Sequence, residues 1–277
     1  MQKSVYFLDI DDCLIKTSLL GKTHFDRLSI SLRQNGIQNY SQITQEFGLS
    51  FNILFSRHQG KILGKMEQSI ADFYLSRLNE VEKPIIDRYG DIKRWSREAI
   101  LYIAAERVDT KLNNAQLQSS VKALWDEITT HADFYPDALP FLKKLLVIKK
   151  PFYLITSSDN RLTLSDTTGL FHYDPQYSKK LKMERLDKFT KLGIPTDHIF
   201  IADPYDKPNP QIFSEALNFA RKKLDSSFLS VMIGDSVKSD LLPAKKAGFE
   251  KLILLRRHNQ TENIPEGIKI ISTLSQL

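Results

Sequence analysis

Short apolar runs that stop abruptly at polar clusters constrain this chain more than any other feature. Ser4-Val-Tyr-Phe-Leu8 is β-branched and aromatic and ends in the acidic cluster Asp9-Ile-Asp11-Asp12. Runs of the same kind recur at Phe152–Ile155, His198–Ile201, Phe228–Ile233 and Lys251–Leu255, with a weaker one at Ile268–Ile271. Each reads as a buried parallel strand that stops at polar chemistry. Between them lie segments with helical spacing, Leu139–Val147, Met183–Leu192, Pro210–Lys222 and Asp240–Ala247, the last closed by Gly248. Strand alternating with helix predicts an α/β fold, a doubly wound parallel sheet of Rossmann-like type, which carries its ligands at the carboxyl ends of the strands.

Residues 15–133 break that alternation. They are rich in Leu, Gln, Arg and Asn and hold apolar residues at three- and four-residue spacings, such as Ile92, Trp95, Ala99 and Tyr102, without a strand pattern. This predicts an all-helical domain (15–133) inserted in a loop of a sheet domain made of 1–14 and 134–277. The content of 42% hydrophobic and 26% charged residues excludes a disordered chain and a collagen-like repeat. A lone cysteine, Cys13, excludes an internal disulfide and a cysteine-built zinc site, so a metal here must rest mainly on carboxylates. No apolar stretch approaches the roughly 18 residues of a membrane span, and the N-terminus meets Asp9 before any signal-like region develops. The expected compartment is the cytoplasm, with no membrane partner.

The net charge of +6 is concentrated. From Phe141 to Lys191 the chain has eleven Lys or Arg against five Asp or Glu, a surplus equal to that of the whole protein. Part of this stretch, from Asp159 to Lys182, interrupts the expected connection from strand to helix. Some of Arg161, Lys179, Lys180 and Lys182 are therefore expected near the mouth of a site, where they would attract anions. The remaining lysines read as a solvated face.

Four polar clusters follow the four strongest strands. Asp9 and Asp11 are two apart, so a strand ending there can aim both at one place. Thr156-Ser157-Ser158 offers hydroxyls and backbone N–H groups that can hold phosphate oxygens. Lys207, in Asp206-Lys207-Pro208-Asn209-Pro210, is a cation on a rigid turn ahead of a helix. Gly234-Asp235 ends another strand, and Asp240 opens the next helix, where an N-cap is the plain structural reading.

In order and placement these clusters resemble the motifs of the haloacid dehalogenase (HAD)-like hydrolase superfamily. Asp9-Ile-Asp11-Asp12-Cys13-Leu14 is similar to its Asp-x-Asp-x-Thr-Leu motif, Thr156 to its strand-end Ser or Thr, Lys207 to its Lys-Pro motif, and Asp235 with Asp240 to its Gly-Asp-x-x-x-x-Asp motif. The resemblance implies a phosphatase with a helical cap inserted after the first motif. It implies Asp9 as nucleophile forming an aspartyl phosphate, Asp11 as acid and then base, and Lys207 as the cation on the phosphoryl group. Thr156, Ser157 and Lys207 would bind phosphate. Mg2+ would be held by Asp9, Asp235 and the Asp11 backbone, with Asp240 orienting Lys207 or metal-bound water behind them. Dehalogenases of the superfamily lack an acid at the Asp11 position, so Asp11 points to phosphoryl transfer. Cys13 departs from the motif, replacing a hydroxyl with a weak donor.

The expected substrate is a small phosphorylated metabolite. A phosphomutase would share the same nucleophile, and a catalytically weak anion- or nucleic-acid-binding protein is the reading from another class. The chain has no glycine-rich phosphate loop, no RNA-binding aromatic motif and no basic helix dense enough for DNA, so nucleic acid is not an expected partner. In the insert, Arg94, Trp95 and Arg97 are candidates to read a substrate, against the plainer alternative of surface helix residues around a buried Trp.

Overall fold

Ser4–Asp9 forms strand β1, whose alternating side chains are buried on both faces. The structure, a computed structural model, describes residues 3–17, 23–58, 60–90, 96–224, 227–257 and 264–277. After β1 come helices α1 (Thr23–Gln34), α2 (Tyr40–His58), α3 (Lys65–Val81), α4 (Lys83–Tyr89), α5 (Arg97–Glu106) and α6 (Asn114–His131). Helix α7 (Ala138–Val147) leads into β2 (Phe152–Ser157), then the short strands β3 (Leu162–Leu164) and β4 (Phe171–Tyr173) and helices α8 (Pro175–Arg185) and α9 (Asp187–Thr190). The order ends with β5 (Ile199–Ala202), α10 (Gln211–Leu224), β6 (Leu229–Gly234), α11 (Leu242–Lys246), β7 (Lys251–Leu255) and β8 (Ile268–Ile271). Contacts divide the chain into two units, residues 1–20, 131–158 and 182–277 in the first and residues 21–130 and 159–181 in the second.

The first unit is an α/β fold built on a six-stranded parallel sheet of order β5-β2-β1-β6-β7-β8. Tyr6 and Leu8 pack into one core cluster with Phe141, Leu142 and Leu145 of α7. Val5 and Phe7 pack into the other with Ile212, Phe213 and Leu217 of α10. Cover on both faces is what near-continuous apolar strands require. Each large side chain so buried contributes about 1.5–3 kcal/mol. The register pairs Asp9 with Ile155 and Leu8 with Ile233, which brings the ends of β1, β2 and β6 level. Thr156 and Asp235 therefore arrive at the same sheet edge as Asp9 and Asp11.

Two expected helices differ in the structure. The segment expected as Met183–Leu192 begins at Pro175 instead and is interrupted at Leu186 between α8 and α9. Asp174 starts it: its Oδ1 accepts from the Gln176 N–H at 2.9 Å, and Pro175 is suited to a first helical turn. The segment expected as Asp240–Ala247 is a π-type turn, Val237–Leu241, followed by the short α11.

The second unit centres on α5, in which Glu98 through Ala105 are all buried. Ser96 caps it, accepting from the Ala99 N–H at 3.0 Å. Helices α1–α6 are joined here by the antiparallel hairpin β3–β4, supplied by the segment 159–181. Boundaries at 14 and 134 leave that segment with the sheet, whereas its contacts group it with the helices. A buried ion pair fastens it: Arg161 Nε donates to Glu98 Oε1, and Gln118 Nε2 donates to the Leu162 carbonyl at 2.5 Å. Phe171 meets the Tyr102 ring edge-on, with centroids 5.7 Å apart.

Of the four cations, some of which are expected at a site mouth, two are not exposed. Arg161 is buried against Glu98, and Lys182 is buried as well, while Lys179 and Lys180 are exposed. Arg161→Met strands the Glu98 carboxylate in the interior and is expected to destabilise the fold by about 3–5 kcal/mol. Adding Glu98→Leu should recover most of that loss, since an apolar pair needs no counter-charge; denaturant midpoints of both variants check this.

Arg94 and Trp95 lie outside the described residues. Arg97 stacks over the Trp125 ring at 3.8 Å, a packing role inside the second unit. Among the described residues, no helix is long and apolar enough to cross a membrane.

Candidate active site

Strand β1 delivers Asp9 to the sheet edge almost fully buried, and its Oδ1 accepts a hydrogen bond from Lys207 Nζ. The same ammonium donates to Asp240 Oδ1 at 2.7 Å. Lys207 is held in place through the loop after β5. Its own N–H donates to Asp206 Oδ1 at 2.8 Å, and the Ser158 N–H reaches the same oxygen at 3.3 Å. Ser158 Oγ also donates to Asp203 Oδ2 at 3.0 Å. The end of β2 therefore grips the loop that carries the lysine.

Asp240 is not the cap of the turn it occupies. Ser236 caps it, accepting from the Ser239 N–H at 3.1 Å, while Asp240 turns inward and its Oδ2 accepts from the Ser236 N–H at 3.2 Å. Room for this comes from Gly234, where an added Cβ would sit 2.6 Å from the Asp240 side chain. Any side chain at 234 would push Asp240 off Lys207.

Carboxylate oxygens of Asp9, Asp235 and Asp240 lie within 4.8 Å of one another. Burial pushes the Asp9 carboxyl well above the usual carboxylate range, against the pull of Lys207 and with the added push of Asp240 and Asp11. Asp235 is raised in the same way, by burial first and then by Asp240 and Asp9. Burial works against the charge on Lys207, yet Asp240 and Asp9 hold its pKa well above the ordinary lysine value. One ammonium thus serves three clustered carboxylates, and such a set favours a further cation. Its donors are all hard oxygens, which fits a magnesium ion.

Asp11 sits in a different environment. Its Oδ1 accepts from Thr17 Oγ1 at 2.8 Å, and its Oδ2 accepts from Thr156 Oγ1 at 3.2 Å and Lys182 Nζ at 3.1 Å. Burial opposes its ionisation, but Lys182 and Arg185, with the Thr17 and Lys182 hydrogen bonds, outweigh it and hold the carboxyl below the usual range. Its side chain is therefore engaged apart from the Asp9, Asp235 and Asp240 group. Thr156 is fully buried, and Ser157, half-buried, ends β2 beside it.

At the position where the motif has Thr, the buried Cys13 thiol meets the Ile233 carbonyl at 3.9 Å, a weak contact. Burial, then the charges of Asp9, Asp235 and Asp240, push its pKa well up, so it stays a neutral thiol. The loop is held through its backbone instead. Arg257 donates to the Cys13 carbonyl from Nη2 at 2.8 Å and from Nε at 3.2 Å, and its Nη1 pairs with both Asp137 oxygens at 2.7 and 2.9 Å. Asp137 in turn accepts from Thr273 Oγ1 at 2.8 Å and the Leu274 N–H at 2.6 Å.

Asp9, Lys207, Asp235 and Asp240 are brought together as the motifs suggest, and Asp11 adjoins Thr156. Sequence reasoning missed Thr17, Asp206 and Arg257, and it named Lys182 as a cation near the entrance without its Asp11 partner. Only Asp206, next to Lys207 in an Asp-Lys-Pro turn, carried a signal in its neighbours.

A family model described as HAD-hydrolase-like matches residues 204–269, which span Lys207, Asp235 and Asp240. Among curated proteins, none matches the chain in sequence. The solved candidate HAD-hydrolase YfnB from Bacillus subtilis, bound to magnesium, is 12% identical and superposes with a TM-score of 0.55, over 100% of this chain and 97% of that one. A 2-haloacid dehalogenase from Pseudomonas syringae pv. Tomato DC3000 is 18% identical, with a TM-score of 0.51 over 100% of this chain and 96% of that one. At these identities the likeness is one of fold. The family match thus falls on Lys207, Asp235 and Asp240, and the fold around them is one shared with solved HAD-type hydrolases.

Proposed function

We propose that the protein is a magnesium-dependent cytoplasmic phosphatase that hydrolyses a small phosphorylated metabolite through an aspartyl phosphate on Asp9. The observation that carries this reading is the pair of carboxylates at the end of β1. Asp9 is held by Lys207, and Asp11, two residues on, has hydrogen-bond partners of its own. A nucleophile and a separate acid–base group on one strand end are what phosphoryl transfer to and from a carboxylate requires. A dehalogenase has no use for the second carboxyl.

In the first half, an Asp9 oxygen attacks phosphorus and the bond to the leaving oxygen breaks, with Asp11 supplying that oxygen's proton. The partners of Asp11 favour its ionised form, and a phosphoryl dianion bound beside it supplies the negative charge that favours the proton. In the second half, Asp11 takes a proton from the water that attacks the aspartyl phosphate, and Asp9 is released with inorganic phosphate. Lys207 offsets charge on the phosphoryl oxygens, and Asp240 keeps its ammonium aimed at Asp9. Thr156 and Ser157 offer hydroxyl and backbone donors at the same sheet edge. Magnesium held by Asp9, Asp235 and the Asp11 carbonyl would neutralise the clustered carboxylates and polarise the phosphoryl group. The second unit is the cap in this reading, and it selects the substrate.

Phosphate release from a panel of phosphorylated metabolites, with magnesium and with chelator, tests the proposal. No release by the wild type alongside isomerisation of a sugar phosphate would replace the phosphatase by a mutase.

A second test needs no substrate. Carboxyls with raised pKa keep their protons to higher pH in the folded than in the unfolded chain, so their contribution to stability falls as pH rises above the unfolded value of about 3.9. Magnesium competes with those protons. The gain in Tm on adding saturating magnesium is therefore expected to grow with pH from about 4 upward and to shrink in Asp235→Asn. A gain independent of pH and of Asp235 would contradict the assigned ligands.

A further inference from the structure

Lys182 is one of the four cations that the sequence suggests for the mouth of a site, yet it is only 1% exposed. Lysine is almost never buried to this degree without a partner. Here Nζ donates to Asp11 Oδ2 at 3.1 Å, and its residue lies on the last turn of α8, remote in sequence from every motif of the site. The arrangement separates two charge systems: Lys207 is shared by Asp9 and Asp240, and a second lysine faces Asp11.

We propose that Lys182 is a positioning residue for the reaction, fixing the Asp11 carboxylate in the one orientation that can exchange protons with leaving group and water. The inference rests on the phosphatase reading above. Asp11 is a short side chain that keeps 29% exposure, so without restraint it can rotate toward solvent. Three donors oppose that rotation, Thr17 on one oxygen and Thr156 with Lys182 on the other. Lys182 is the charged member of the three, and hydrogen bonds to charged groups are the stronger ones. A proton-transfer group must lie within about 2.6–3.2 Å of its target, and a misplacement near 1 Å costs about 100-fold in rate.

The test is p-nitrophenyl phosphate hydrolysis at saturating magnesium by wild type, Lys182→Met, Thr17→Val, Asp11→Asn and the two doubles that combine Asp11→Asn with each of the others. The p-nitrophenolate leaving group needs little protonation, which keeps the Asp11→Asn background measurable. Lys182→Met is expected to lower kcat about 10- to 100-fold with KM changed less than about threefold. Thr17→Val should lower kcat about fivefold, the value of one ordinary hydrogen bond. In the Asp11→Asn background each is expected to cost less than about twofold, because the group they position is gone. Equal losses in both backgrounds would make Lys182 a merely structural ion pair and overturn the proposal, as would an unchanged kcat. Thermal unfolding identifies a Lys182→Met protein that fails to fold, and the Thr17→Val pair then decides alone by the same comparison. Absence of any wild-type turnover overturns the phosphatase reading and this inference with it, whereas wild-type turnover with additive losses overturns this inference only.

Discussion

Asp9→Asn is expected to reduce phosphate release by at least about 10⁴-fold, in line with the loss of a covalent nucleophile elsewhere. The size follows from what the substitution removes. The amide keeps the shape of the side chain and a carbonyl oxygen for Lys207, but it cannot attack phosphorus. It also removes one charge from a cluster in which Asp9, Asp235 and Asp240 crowd within 4.8 Å. The metal-free variant is therefore expected to be at least as stable as the wild type, because a carboxyl whose pKa is raised by burial is a liability to the folded state near neutral pH. Inactivity together with undiminished Tm separates loss of chemistry from loss of fold. Residual turnover within tenfold of the wild type would remove Asp9 from the nucleophile role.

Lys207→Met is expected to act on both activity and stability. Its ammonium pairs with both Asp9 and Asp240, all three side chains being 5% exposed or less. Removing one partner of such a buried group costs about 3–5 kcal/mol, here set against the chance that one carboxyl takes up a proton instead. Stability is then expected to rise as pH falls from 8 toward about 5, the reverse of ordinary acid destabilisation, because protonation relieves the stranded carboxylates. Magnesium should recover part of the stability, since it offers the same cluster another cation, but not the turnover, since no ammonium remains to offset charge on the phosphoryl oxygens. Unfolding curves with and without magnesium across that pH range check the first part, and kcat at saturating magnesium checks the second.

The sheet was legible because its signal is local and redundant. Each strand is an apolar run bounded by polar residues, and the six runs lie within two residues of the observed strands. The candidate site was legible where a polar residue follows a strand end, at Asp9, Thr156, Lys207 and Asp235. The hairpin Leu162–Leu164 and Phe171–Tyr173 was not, because three-residue strands are too short to display alternation. Arg161 and Lys182 were singled out by charge, but their partners were not legible, for a related reason. A lysine or arginine in a basic stretch is usually solvated, and only the fold reveals that Glu98 and Asp11 wait opposite. Arg257 was hidden by distance: its partners Cys13, Asp137 and Leu274 come from three remote parts of the chain. Asp240 was half read: resemblance puts it behind Lys207, whose Nζ donates to it, while local pattern alone suggests a cap.

The central claim is that phosphate passes through Asp9. Rapid acid quench of the wild type during turnover of a substrate identified from the metabolite panel, followed by mass analysis of the peptide that contains Asp9, measures this directly. The expected result is one phosphoryl group on Asp9 that accumulates in Asp11→Asn, where hydrolysis of the intermediate is slowed, and that is absent from Asp9→Asn. Phosphate release at the wild-type rate with no phosphoryl group on that peptide in either the wild type or Asp11→Asn would contradict it.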